Sequence, residues 1–221
     1  MKDQKWERYA ALGGVVFVIL NIVGAVITGS PPAPDASTAK IVKYLTDHDS
    51  ELKVAQALAG VSALALLWWF GSLWRRMSKA EDGAPRLAVV SLAGLALSGA
   101  LFLASGAVLA AAVMRSADAG DGITVYWALG TVLLGASGFG LAAHLAATNA
   151  LAMRTKMFPT WIVGLGLLDA LAFLVSGIAA SASSSAVGMG IGIIAGLAWA
   201  VWILAVSFVM WRPVDAATAG A

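Results

Sequence analysis

Six stretches of nearly uninterrupted apolar residues run along the chain, at about 9–28, 54–74, 87–114, 124–153, 160–182 and 186–211. Each is long enough to cross a hydrocarbon layer of about 30 Å as a helix, whereas a core helix of a water-soluble domain rarely needs more than a dozen such positions. Polar and charged residues collect in the connections, which are too short to fold separately except for residues 29–52. The pattern predicts an all-α, polytopic transmembrane six-helix bundle, a single domain over residues 1–221. Pro85 and Pro159 precede the third and fifth spans and Pro213 follows the sixth, positions where a missing N–H costs little, so the helices are expected to be continuous. This weighs against a transporter built on broken helices, although the glycine-rich stretch from Val187 to Gly192 could unwind instead. The two halves show no repeat beyond a shared Trp-then-Arg ending of the second and sixth spans.

Six crossings put both termini on one side, and the basic residues choose which. Ten of the fourteen Lys and Arg fall at the termini, around Arg75, Arg76, Lys79 and Arg86, and at Arg154 and Lys156; the other four are Lys40, Lys43, Lys53 and Arg115. Loops rich in Lys and Arg stay in the cytoplasm, so both termini are expected there and residues 29–52 outside. Once assigned to loops these charges leave no basic stripe, and no nucleic-acid partner is expected. The first span is read as a retained helix rather than a signal peptide, since it lacks a small-x-small cleavage site.

The external segment opens on Ser30-Pro31-Pro32-Ala33-Pro34, an extended run, and Asp35 or Ser37 can cap a short helix over residues 36–47. Ile41, Val42, Tyr44 and Leu45 would form its apolar flank, with Lys40 and Lys43 on the wet side. It is read as a cover for helix ends or, alternatively, as a lid over a polar cavity. Trp6, Tyr9, Trp68, Trp69, Trp74, Trp161 and Trp211 near one set of helix ends, and Tyr126 and Trp127 near the other, read as interface anchors. Trp199 and Trp202 lie deeper. Small residues at four-residue spacing, namely Gly188, Gly192, Gly196 and Ala200, then Gly138, Ala142, Ala146 and Ala150, then Ala55, Ala59 and Ala63, read as packing seams. The Gly188/Gly192/Gly196 face is also a candidate homo-oligomer surface.

Composition narrows the chemistry. Hydrophobic residues make up 60% of the chain and charged ones 12%, about half the share in soluble domains. There is no cysteine, which removes disulfides and thiolate chemistry. Bis-histidine haem is excluded because His48 is external and His144 intramembrane. Asp47, His48, Asp49 and Glu51 form the only dense set of ligand types, at a spacing that fits no metal motif, and read as a solvated loop. No metal or cofactor is expected.

Two ionisable side chains lie well inside the spans, His144 in the fourth and Asp169 in the fifth. Such residues are costly in hydrocarbon and face the bundle interior. Each sits about ten residues from the turn joining the two helices, roughly 15 Å deep at 1.5 Å per residue. A hydrogen bond or ion pair between them is therefore expected. Seven-residue spacing continues each stripe: Ser137 before His144, Ser176 after Asp169, and Ser91, Ser98 and Ser105 in the third span. With Thr148, Asn149 and, on the first helix, Asn21, these residues could line a polar interior that holds a ligand or relays protons. The alternative is that they are glue, bonding neighbouring helices or their own backbones.

Gly135-Ala136-Ser137-Gly138 resembles the Gly-x-Ser-Gly segment of rhomboid-type intramembrane proteases. That family takes its base from another helix, whereas His144 lies on the same helix roughly 10 Å along the axis, beyond reach of Ser137. Over roughly residues 9–80, the Pro-rich start, Asp35-Ala36-Ser37-Thr38, Tyr44-Leu45-x-x-His48 and Leu67-Trp68-Trp69-Phe70-Gly71-Ser72-Leu73 before Arg75 are similar to small six-helix integral membrane proteins of high-GC actinobacteria that have no established activity. The resemblance implies a multi-pass protein of a bacterial plasma membrane and carries over no functional residues. Three readings of function follow: a non-enzymatic protein binding a lipid, a small apolar molecule or a membrane partner; a small proton-linked transporter using His144 and Asp169; and, disfavoured for want of a catalytic set, a membrane enzyme.

Overall fold

The structure, a computed structural model, describes residues 2–116, 120–182 and 186–211. Seven α-helices account for nearly all of them: α1 (Lys2–Thr28), α2 (Thr38–Asp47), α3 (Asp49–Ala80), α4 (Arg86–Arg115), α5 (Ile123–Thr155), α6 (Thr160–Ala182) and α7 (Ala186–Trp211). All but α2 are long and apolar enough to cross a membrane. No described residue is in a strand and no helix breaks at mid-span; α7 runs straight through Gly188, Gly190 and Gly192. The predicted second span is longer than its apolar stretch, because Asp49 and Glu51 add a polar first turn that suits the positive end of the helix dipole. Trp6, the basic residues Lys2, Lys5, Arg8 and Arg212, and Pro213 carry expectations that lie outside the described side chains or residues.

The six long helices form a closed ring in which each packs on its sequence neighbours and α7 returns to α1. Adjacent helices run antiparallel: Ser91 meets His144 and Ser105 meets Gly130 across α4 and α5, Gly138 meets Phe173 across α5 and α6, Ser176 meets Gly188 across α6 and α7, and Gly14 meets Ser207 across α7 and α1. Lipid offers no hydrophobic drive for these seams, so they rest on close backbone approach and buried hydrogen bonds. Gly94 and Gly140 face one another at the α4–α5 crossing, where a Cβ on Gly94 would lie 2.7 Å from the Gly140 oxygen and one on Gly140 would lie 2.5 Å from the Gly94 oxygen. The small ridges serve the seams as well. Ala55 backs Gly24 of α1, Gly138 backs Phe173, and Gly188 and Gly192 back Ala179 and Ser176 of α6, while Gly196 has nothing within 4 Å.

The helix α2 lies across the ends of α4 and α5. Ile41, Tyr44 and Leu45 are buried against Ala112, Val113, Ile123 and Trp127, while Lys40 and Lys43 face outward. Ser37 occupies the N-cap position without a side-chain cap bond, and the helix starts two residues later than its sequence pattern suggests. Tyr44 donates to the Thr28 carbonyl at 3.1 Å, and burial pushes its phenol above the usual 10.0, which keeps the O–H in place as a donor. Trp127 is a correction to the anchor expectation. It is buried, and its indole donates to the Ala33 carbonyl of the α1–α2 connection instead of standing on the outer surface of the bundle. Trp69 is a second correction, fully buried while its neighbour Trp68 is 65% exposed. Tyr9, Trp161 and Trp211 do stand on the outer surface.

At the opposite end, Glu81 joins two helices. Its backbone N–H closes α3 on Met77, and its carboxylate accepts from the N–H groups of Leu87 and Ala88 at 2.9 and 3.1 Å, capping α4. Partial desolvation raises its pKa, but these two bonds, with Arg154 nearby, outweigh it and hold the carboxyl below its ordinary 4.5. A lowered folded-state value means the cap is fully in force above about pH 4.5 and is lost as pH falls through that lower value. Glu81→Ala is expected to cost about 1 kcal/mol at neutral pH, typical of a lost cap, and clearly less once both proteins are acidified. Thermal unfolding in detergent at neutral and acid pH checks this, and an equal cost at both would contradict the cap.

Candidate functional site

The α4 serines make one seam legible. Ser91, Ser98 and Ser105 recur every seven residues and all are buried against α5: Ser105 donates to the Gly130 carbonyl at 2.7 Å, Ser98 lies beside Gly140, and Ser91 meets His144. The close approach permitted by Gly94 and Gly140 brings His144 Nδ1 to 2.8 Å from Ser91 Oγ and 3.2 Å from the Ser91 carbonyl. Ser91 Oγ is also 2.9 Å from Thr148 Oγ1, which donates in turn to Met77 Sδ at 3.8 Å. If the Thr148 proton goes to sulfur, the Ser91 proton goes to Thr148, and Nδ1 must carry the hydrogen that Ser91 accepts. On this assignment Nδ1 is a donor, and Nε2 has no partner among the described residues.

Aromatic rings surround that imidazole. Phe70 of α3 and Trp202 of α7 stand edge-on to it at centroid distances of 5.6 and 5.9 Å, and Trp202 meets Trp69 at 6.2 Å. The indole protons are satisfied within the same layer. Trp202 donates to Asn149 Oδ1 at 3.3 Å, and Trp69 donates to Ser207 Oγ at 2.9 Å. Asn149 in turn donates to the Leu145 carbonyl. Gly166 leaves the space into which Asn149 and Trp202 project.

Asp169 stands apart from this network. It is 2% exposed, and neither carboxyl oxygen has a hydrogen-bond partner among the described residues; the same is true of His144 Nε2 and Trp199 Nε1. The expected hydrogen bond or ion pair between His144 and Asp169 is therefore not formed. Their depths match, since the pairing of Gly138 with Phe173 and of Asn149 with Gly166 sets Asp169 level with the His144 turn. Their directions do not. Gly138 faces α6, and His144, six residues on, is turned about 120° from it, while it lies only about 40° from Gly140, which faces α4. Counting residues from the turn gave the height of the histidine and not its bearing.

The remaining predicted residues are spread over several seams rather than gathered into one chamber. Ser137 donates to the Leu134 carbonyl of its own helix at 2.6 Å, so it is neither beside His144 nor set up as a nucleophile. Ser176 donates to the Gly188 carbonyl of α7 at 3.2 Å. Asn21 donates to Ser62 Oγ of α3 at 3.0 Å and to the Phe17 carbonyl. Around the α2–α3 junction, Asp47 and Asp49 bond Lys43 and Lys53 one turn away, and His48 Nδ1 lies 3.1 Å from the Tyr44 carbonyl. Sequence reasoning passed over Ser62, Ser207 and Met77, single polar or soft atoms in apolar runs with no periodic companions to mark them.

What remains as a site is a layer at mid-depth. On α6, Phe173 lies one turn beyond Asp169, and its ring meets Trp199 of α7 at 6.3 Å; Trp199 meets Phe17 of α1 at 5.1 Å. The Ser176 to Gly188 and Ser176 to Gly192 contacts set the α6–α7 register and put Asp169 within about a turn of Trp199. A carboxyl lacking a donor and an indole lacking an acceptor thus share one level of the ring. No family model matches the chain, and no curated protein or solved structure does either, so its chemistry is read from this geometry alone.

Proposed function

We propose that the chain is a non-enzymatic integral membrane protein that binds a small, largely apolar molecule inside the bundle at the level of Asp169. It would sit in a bacterial plasma membrane with both termini in the cytoplasm, the sidedness that ten of fourteen basic residues favour. The helix α2 would then lie outside. The observation that carries the reading is the Asp169 carboxyl, buried at mid-span with no donor to either oxygen among the described residues. Leaving such a group bare costs several kcal/mol in an apolar medium, and a chain that keeps it there gains if a ligand supplies the missing hydrogen bond. Catalysis is disfavoured because the buried hydroxyls of Ser91, Thr148, Ser137 and Ser176 are all engaged in structural bonds. Proton-linked transport is the second reading; without a bond from His144 it would run through Asp169.

The test compares wild type with Asp169→Leu, each purified in mild detergent. Once wild type has been stripped of bound small molecules, the variant is expected to unfold at the higher temperature, because a bare buried carboxyl has been replaced by a side chain that suits its surroundings. Mass spectrometry of organic extracts should find a small molecule retained by wild type and missing from the variant. Identical extracts would remove the binding reading.

A further inference from the structure

We infer that the molecule taken up at Asp169 is a hydrophobic organic cation, an inference that rests on the binding reading above and names its ligand class. Within the six apolar stretches Asp169 is the sole acidic residue and there is no Lys or Arg, so the chain supplies no counter-charge at that depth. The histidine at the same level points elsewhere, with Nδ1 committed to Ser91 and its ring held between Phe70 and Trp202. Among the described residues no cationic side chain partners this carboxyl, so a counter-charge would have to be carried in by a ligand.

The surroundings select among cations. A metal ion such as Na+ or Ca2+ needs several oxygen ligands, and the residues one turn to either side of Asp169 on α6 are Leu165, Gly166, Ala172 and Phe173, none with a side-chain oxygen. Ser176, two turns on, already donates to the Gly188 carbonyl. What the level offers instead is aromatic surface from three helices. Phe17, Phe173 and Trp199 stand nearly perpendicular, at interplanar angles of 70° and 89°. Aromatic rings at the level of a buried carboxyl are the chemistry that would recognise an ammonium or phosphonium carried on an apolar body: the rings attract its charge and an ionised carboxylate neutralises it.

Equilibrium binding of radiolabelled tetraphenylphosphonium to the protein in lipid nanodiscs tests this, with neutral triphenylphosphine oxide as the comparison. Wild type should bind the cation saturably and at least tenfold more tightly than the neutral compound. Asp169→Asn should lose at least tenfold in cation affinity, and Trp199→Leu should lose several-fold while Asp169 is retained. Equal affinity for both compounds in wild type, or an undiminished cation affinity in Asp169→Asn, would overturn the inference. The wild-type comparison needs no variant and stands even if a substitution fails to fold. If the neutral compound binds as tightly as the cation and Asp169→Leu abolishes that binding, the cation assignment falls and the binding reading survives. If neither compound binds and wild-type extracts contain nothing that Asp169→Leu lacks, both fall.

Discussion

Gly140→Ala should destabilise the protein by about 3 kcal/mol, near the top of the range for overpacking, although it adds a single methyl group. The new carbon would lie 2.5 Å from the Gly94 carbonyl oxygen and 2.6 Å from the Ser98 nitrogen, both backbone atoms that cannot swing aside as a side-chain tip would. The helices α4 and α5 must separate, and the cost spreads along the seam. Ser105 draws away from Gly130, and Ser91 from His144 and Thr148. Denaturant unfolding in mixed micelles measures the loss. Gly99→Ala on α4 is the control: nothing lies within 4 Å of its new Cβ, and the change should be neutral or slightly stabilising because Gly is the poorer helix former. Equal effects at the two positions would mean that the crossing does not hold the bundle.

Trp202→Ala should cost a similar amount, about 3 kcal/mol, for a different reason. Trp202 is fully buried and is the ring on which the central layer converges, touching His144 and Trp69 and donating to Asn149. In lipid most of the loss is unfilled packing, since apolar groups gain little by leaving hydrocarbon for a protein core. Trp202→Phe separates the two contributions, because it keeps most of the ring contact and deletes the N–H. It should cost about 2 kcal/mol, because Asn149 Oδ1 is left buried without its donor. Near-ultraviolet circular dichroism should show the aromatic signal collapsing in Trp202→Ala and only weakening in Trp202→Phe. A Trp202→Ala protein as stable as wild type would show that the layer is not packed around this ring.

The sequence made the membrane class, the six spans and the depths of His144 and Asp169 legible, because each depends on counting residues along an apolar run. Bearings around each helix were much harder to read. In a water-soluble helix the polar face marks the outside, but here lipid and core are both apolar and the usual contrast is lost. Trp68 and Trp69 show the consequence: identical neighbours, one outward and one fully buried. Bearing became readable only where polar residues recurred, as with Ser91, Ser98 and Ser105, which do share the α5-facing side of α4. The partner of His144 belonged to that same stripe, so the signal was present, but matched depth drew attention to Asp169. Trp127 misled for a related reason, since its place under the α1–α2 connection depends on residues almost a hundred positions away.

The return of α7 to α1 has a consequence for how the protein is made. During synthesis α1 and α3 can pair early, through Gly13 beside Ala65 and Trp69, yet the Trp69 indole has no acceptor until Ser207 emerges much later. The final helix is therefore a keystone. Ribosome-bound chains that stop short of it should carry a gaping flank that lipid or an insertase must shelter, and substitutions at Gly14 or Ser207 should trap the nascent protein in that half-built form.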